Sequence, residues 1–395
     1  MADPGTTTPV RAKPVSPGRQ VWQRFKRNRL GFWSLILFSV LYGLSLGAEL
    51  LSNDKPLLVR YDGAFYSPLL KNYTEQTFGG ELPILADYQD PVVQARFALP
   101  GNWAIYPPHR FSYDTLNYFG GAKHYPGRPD RENWLGTDIA GYDVAARLIY
   151  GFRVSVSFAL GLTVVGILLG TLIGAIQGYF AGKIDLFTQR IIEVWGAMPE
   201  LYLLIIFASV FEHSYLLLFI VLSLFGWIGL ADYVRAEFLR NRQLEFVKSA
   251  RAMGLSHGQI IWRHILPNSL TPVITFLPFR MSASIIALAS LDFLGLGVTA
   301  PSPSLGHLLI QGKENLDSWW ISVSAFSALV VTMLLLTLIG DALRNAFDTR
   351  HGLARQNDEP VPAPALAEPP HNVVVMPVEP ITTATAVPIR AGGAA

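Results

Sequence analysis

Residues 154–182 carry no charge. A run this long and apolar matches the hydrocarbon thickness of a bilayer, which about 20 helical residues cross. Water does not reach it there, so the backbone must close its own hydrogen bonds as a helix. Residues 31–51, 186–211, 215–231, 270–291 and 319–340 form five more apolar runs. The chain is 51% hydrophobic and 15% charged, against about 25% charged in a soluble domain. The expected fold class is an all-α integral membrane protein with six transmembrane helices.

Basic residues orient these spans. Arg24, Lys26, Arg27 and Arg29 precede the first run, which predicts a cytoplasmic N-terminus. No clear A-x-A site follows it, so it is expected to remain as a span and not to leave as a signal peptide. Arg235, Arg240, Arg242, Lys248, Arg251 and Arg263 mark residues 235–269 as cytoplasmic. Arg344 and Arg350 put the C-terminus on the same side. Residues 1–29 therefore read as a disordered, then basic, cytoplasmic segment, and 30–51 as the first span. Residues 52–152 read as a periplasmic insertion ending in an interfacial helix, and 153–347 as the core of five spans. Residues 348–395, rich in Pro, Ala and Val, read as a disordered tail.

Within the insertion, residues 57–61 and 64–66 flank Asp62-Gly63, the pattern of a hairpin with a two-residue turn. Its many Tyr, Phe and Trp residues speak for folded structure. It either covers the outer mouth or meets another protein. Further on, Val144, Leu148 and Ile149 give residues 143–151 one apolar face suited to the membrane surface. Asp143 falls in the first turn of that helix, where the dipole favours an anion.

The core carries several local signals. Gly166, Gly170, Gly174, Gly178 and Gly182 recur every four residues, so one helix face admits a close neighbour. Arg190 and Glu193 stand at pairing distance along a helix, and Pro199 is expected to kink the third span just before Glu200. Pro272 and Pro278 supply bends in the fifth, which holds Arg280. Counting about 1.5 Å per residue, Glu200 and Arg280 each lie roughly 15–20 Å into the bilayer. A charge at that depth costs at least about 2.5–3.5 kcal/mol unless it is paired or hydrated. Either these two pair with each other, or each faces a wet path and meets the transported solute.

Other chemistries find little support. The chain has no cysteine, hence no disulfide framework and no thiolate site. Its eight histidines form no HExxH and no ligand pair. Residues 178–183 approach a phosphate loop, but the glycines are one residue too close and no Ser or Thr follows Lys183. A net charge of +2 is too small to suggest nucleic acid. A membrane-embedded enzyme would need converging acids or histidines, and Glu200 with Arg280 make a poor catalytic set. No catalytic residue, metal or cofactor is expected on this chain.

The longest polar interruption of the second half, residues 245–268, reads as a knob. Phe246, Val247, Ala250 and Met253 fall at helical spacing. Gly254 stops that helix in a turn, and a second short helix over 259–265 leads into Leu266-Pro267. This knob resembles the EAA loop of ABC-importer permeases, with Lys248-Ser249-Ala250 in place of Glu-Ala-Ala. Trp134-Leu135-Gly136-Thr137-Asp138 followed by residues 141–151 resembles a signature of dipeptide and oligopeptide permeases, with Tyr142 where Arg is usual. Residues 291–297 with 301–306 resemble a second signature of the same family, with Asp292 for Ser and Leu305 for Trp. The outer segment and the wording around Asp292 are similar to the Yej-type branch.

The resemblance implies a type I ABC importer permease, the C-type subunit, in the bacterial inner membrane. It implies peptides as cargo, of the oligopeptide or microcin C kind; a permease for nickel or another small solute is the alternative, and a passive channel a third. It implies a second, B-type permease subunit as heterodimer partner, a periplasmic substrate-binding protein, and a separate ATPase with two nucleotide-binding domains that holds ATP and Mg. Phe246, Val247, Ala250, Met253, Gly254, Leu266 and Pro267 would then couple the loop to the ATPase.

Overall fold

The computed structural model describes residues 17–118, 124–299 and 301–348. The tail read above as disordered and the first sixteen residues lie outside the described residues. Helix α1 (Pro17–Arg27) and helix α2 (Arg29–Leu46) meet at Asn28, whose side-chain oxygen accepts from the Gly31 N–H. α2 is the first span, and a short helix α3 (Ala48–Leu51) follows it.

The insertion builds its own small core. Strands β1 (Leu58–Tyr61) and β2 (Ala64–Tyr66) pair antiparallel with Tyr61 opposite Ala64. Asp62 and Gly63 turn between them with φ of 48° and 76°, the left-handed pair of a type I′ turn. Helix α4 (Pro91–Phe97) starts at Asp90, whose carboxylate caps the Val92 N–H. A third strand, β3 (Trp103–Ile105), lies on the other edge of β1 and was not expected from the sequence. Val59, Phe78, Tyr88, Val93 and Phe97 fill the space between these elements.

Helix α5 (Val144–Phe180) is continuous for 37 residues, roughly 55 Å at 1.5 Å per residue. The apolar face expected on the membrane surface is therefore the first two turns of this helix. Val144, Ala145, Ala146 and Arg147 are buried. Asp143 stands one position ahead of the helix and caps it, accepting from the Ala146 N–H at 2.7 Å.

The third span also differs from expectation. Helices α6 (Gly182–Gly196) and α7 (Glu200–Val210) replace one kinked helix, with a bend of 62° between them. Pro199 is extended and stands just before α7, so the proline starts a helix where a kink was predicted. Arg190 and Glu193 do pair, at 2.5 Å on the exposed side of α6. Helices α8 (Tyr215–Phe225) and α9 (Ile228–Asn241) follow and together pass as one span.

Helix α10 (Glu245–Ala252) ends in a turn at Gly254, after which a short α11 (His257–Gln259) and a π-helical turn (Ile260–Ile265) run without a break into α12 (Leu266–Phe293). Helices α13 (Leu305–Glu314) and α14 (Trp319–Phe347) complete the described chain. Among the described residues, five helical stretches are long and apolar enough to cross a membrane, six if α6 and α7 form one broken span. α5 is central: Val156 and Ala159 pack with Phe38 of α2, Met281 and Ile285 of α12, and Leu335, Leu336 and Ile339 of α14. At the other end, Gly31 lets α2 reach α14, for a Cβ there would lie 2.1 Å from the Ala342 Cβ.

Candidate functional site

The knob divides its apolar residues between two faces. Val247 and Ala250 are fully buried and join a cluster with Tyr179 of α5, Val234 and Phe238 of α9, and Ile260 and Ile265 of the π-helical turn. Leu266 belongs to the same cluster. Ala250 was expected to be buried in the ATPase, and Val247 and Leu266 to couple the loop to it; in the structure all three are covered by the chain's own helices. Phe246 and Met253 face outward, 39% and 71% exposed, and Pro267 is exposed. Trp262 of the π-helical turn is also exposed, at 70%, and was missed. An aromatic residue left bare in a polar loop was the signal for it. Gly254 turns the chain with φ 79°, in open space.

Several contacts brace the knob on the bundle. The Tyr179 hydroxyl and His257 Nδ1 are 2.7 Å apart, and the Arg251 guanidinium lies over the Tyr179 ring. Arg242 donates to the Tyr179 carbonyl at 3.0 Å. Close by, Arg235 of α9 grips Asp185 of α6 with two bonds of 2.5 and 2.8 Å. Such a bidentate pair fixes direction as well as distance.

The two signatures meet in a buried polar node. Asp138 Oδ2 accepts from Arg147 Nη1 at 2.5 Å and from Gln311 Nε2 at 3.4 Å, while its Oδ1 accepts the N–H groups of Ala140 and Tyr142. Arg147 Nη2 donates to the carbonyls of Pro301 and Ser302. Arg147 and Asp138 are 1% and 0% exposed, so each is the other's counter-charge where water does not reach. The unusual Tyr142 lies under the Arg147 guanidinium at 4.8 Å. The unusual Asp292 accepts from the Ser304 hydroxyl at 2.5 Å. Both departures from the family wording thus make contacts inside the node or next to it.

The glycine stripe of α5 faces α9. A Cβ at Gly170 would lie 2.9 Å from the Leu230 Cβ and the Trp227 carbonyl. At Gly174 it would lie 2.4 Å from the Ala231 carbonyl, and at Gly178 2.5 Å from the Phe238 Cβ. Backbones this close admit no side chain between them. Gly166 instead faces Arg280, whose Nη2 would be 2.8 Å from its Cβ. Gly182 is open and serves a turn with φ 59°, so it leaves the stripe.

Glu200 and Arg280 do not pair. Glu200 is the first residue of α7, partly exposed, and Arg280 lies in α12 beside α5. Neither joins an ion pair among the described residues. Of the two arrangements considered from the sequence, mutual neutralisation is therefore absent from this chain. Arg280 Nε is buried with no hydrogen-bond partner.

Comparison with known proteins agrees with this geometry. The family model "Binding-protein-dependent transport system inner membrane component" matches residues 166–352, and "N-terminal TM domain of oligopeptide transport permease C" matches 16–78. The inner membrane ABC transporter permease protein YejE of Escherichia coli is 51% identical, over 86% of this chain and 98% of its own. The peptidoglycan transport system permease protein YejE of Agrobacterium fabrum is 44% identical, over 89% and 98%. The oligopeptide transport system permease protein OppC of Haemophilus influenzae is 33% identical, over 55% and 70%. With its apolar helices and these relatives, the chain belongs to the ABC transporter permease family, as a multi-pass inner-membrane protein of the type I importer fold.

Proposed function

We propose that this chain is the C-type permease subunit of an ATP-driven importer of peptides, peptide–nucleotide conjugates of the microcin C kind included. The name of one relative, the oligopeptide transport system permease protein OppC, supports peptides over nickel or another small solute. The knob lies in the cytoplasm and the insertion in the periplasm, with both chain ends on the cytoplasmic side. A B-type permease completes the pathway as a heterodimer, an ATPase with two nucleotide-binding domains drives it, and a periplasmic binding protein delivers the cargo.

The observation that carries this reading is the two-faced knob. Phe246, Met253 and Trp262 offer a groove on the ATPase an exposed apolar surface. Val247 and Ala250, buried against Tyr179, Phe238 and Ile265, transmit the groove's movement to α5, α9 and α12. When ATP closes the ATPase, the knob moves with it and the attached helices tilt. The pathway then opens alternately to either side, a switch between two packings. Gly170, Gly174 and Gly178 give α5 and α9 a smooth surface on which to shift, and Glu200 and Arg280 lie along the path of the cargo.

Replacing Phe246 and Met253 by Asp tests the docking. The variant should enter the membrane and bind the second permease, lose the ATPase on purification, and lose transport. An ATPase retained at wild-type stoichiometry with transport intact would sink this reading.

A further inference from the structure

We propose that Arg280 is the anion-binding point of the pathway and takes the C-terminal carboxylate of the peptide; this rests on the peptide-importer reading above. The guanidinium sits where α5, the turn between α8 and α9, and α12 come together. A Cβ at Gly166 would lie 2.8 Å from its Nη2, and one at Gly226 3.0 Å. The arginine is seated on backbone, at two positions that only a residue without a side chain leaves free.

The seat supplies no counter-charge. Arg280 takes part in no ion pair among the described residues, and its buried Nε has no acceptor. Beside it opens a cleft of about 280 Å³ lined by Gly229, Leu230, Tyr233, Phe276, Phe279 and Ala283. None of these residues is acidic. Tyr233 and Phe276 meet edge to face with ring centres 5.1 Å apart. The cleft therefore offers one fixed positive charge among apolar and aromatic walls.

Its complement is one negative charge next to an apolar group. A guanidinium presents two parallel N–H donors that match the two oxygens of a carboxylate. The end of a peptide provides both parts: the terminal carboxylate for the fork and the last side chain for the aromatic wall. Low local polarity strengthens such a bond and penalises the unpaired arginine. Arrival of the carboxylate removes that penalty, so cargo with a free C-terminus is favoured over cargo without one.

The test uses the complete importer, with its partner permease, ATPase and binding protein, in proteoliposomes. Uptake of a short peptide with an apolar last residue is compared with that of its C-terminal amide, for wild type and Arg280→Gln. The same binding protein serves both, so its own preference cancels in the ratio of ratios. The acid-to-amide ratio should be about tenfold higher for wild type than for Arg280→Gln. An acid-to-amide ratio unchanged by the substitution overturns the proposal. So does an equal loss for both peptides, which would mean that Arg280 pairs with an acid of the partner permease.

A third peptide, the amide with a Glu in place of an interior residue, separates the two sources of a carboxylate. It should behave as the neutral amide. If wild type takes it up like the free acid and Arg280→Gln does not, the C-terminal assignment falls. Should Arg280→Gln fail to assemble, Arg280→Lys decides, since lysine keeps the charge but lacks the fork. Its ratio should drop several-fold, and a wild-type ratio would overturn the proposal. Failure of the wild-type importer to take up any of the peptides would instead reject the peptide reading.

Discussion

Gly174→Ala tests the close contact of α5 with α9 using the smallest possible probe. An added Cβ would stand 2.4 Å from the Ala231 carbonyl oxygen, 2.9 Å from the Val234 Cβ and 3.0 Å from the Arg235 nitrogen. Ordinary contact begins at 3.4 Å, so α9 must retreat by about 1 Å along this seam. Two of the three atoms are backbone and cannot rotate away. Overpacking of this kind costs about 1–3 kcal/mol. Alanine in place of glycine returns about 0.5–1 kcal/mol of helix stability. The net expectation is a loss of up to about 2.5 kcal/mol. Gly43→Ala in α2 is the matched control, because nothing lies within 4 Å of its Cβ position. There only the helix term acts, and the variant should gain about 0.5–1 kcal/mol. Thermal unfolding of the two purified complexes in one detergent reads the opposite signs. If Gly174→Ala melts at or above wild type, as Gly43→Ala should, the α5–α9 packing described here is wrong.

Three further outcomes are expected. Gly254→Val puts a β-branched residue at φ 79°, a conformation strongly disfavoured for it, so the protein should insert but purify without its ATPase; normal recovery of the ATPase would count against the turn. Arg147→Gln leaves Asp138 buried and unpaired, which should cost about 3–5 kcal/mol; adding Asp138→Asn should restore part of the loss in melting temperature, and no restoration would show that the two do not act as a pair. Burial, the largest influence on Asp54, holds its carboxyl above the usual 3.8. The folded state thus carries a charge penalty at neutral pH that fades as pH falls through the raised value and is gone below 3.8. Asp54→Asn should therefore raise the melting temperature at neutral pH and leave it unchanged in strong acid; a gain that grows on acidification would contradict this.

What was legible in the sequence is what is local or periodic. Asp62-Gly63 between two β-rich runs specifies its hairpin within a few residues. Glycines every fourth residue mark one face of a helix, whatever lies opposite. Contacts between distant segments left no such trace. Arg147 reaches Asp138, Pro301 and Ser302, and Gln311 reaches Asp138 as well, so the polar node depends on the fold being complete. In the structure Arg147 pairs with Asp138 and Arg153 with Glu49 at 2.8 Å, and α5 runs straight through both. Strand β3 is three residues long, too short for alternation to show. The knob makes the limit clearest. Helical spacing brought out Phe246, Val247, Ala250 and Met253 together, but spacing does not say which apolar residues cover the chain's own core and which await a partner. Val247 and Ala250 do the first; Phe246 and Met253 remain for the second.

The central claim is that ATP hydrolysis, passed through the knob, moves peptide across the membrane. Proteoliposomes holding the complete importer and its binding protein can be loaded with ATP and a regenerating system, and given a labelled peptide outside at a fixed low concentration. The account predicts that the peptide accumulates inside above its outside concentration. It also predicts that accumulation stops when ATP is replaced by a non-hydrolysable analogue. Peptide that enters equally fast without ATP, and rises only until the two sides are equal, would identify a passive pathway and contradict the account.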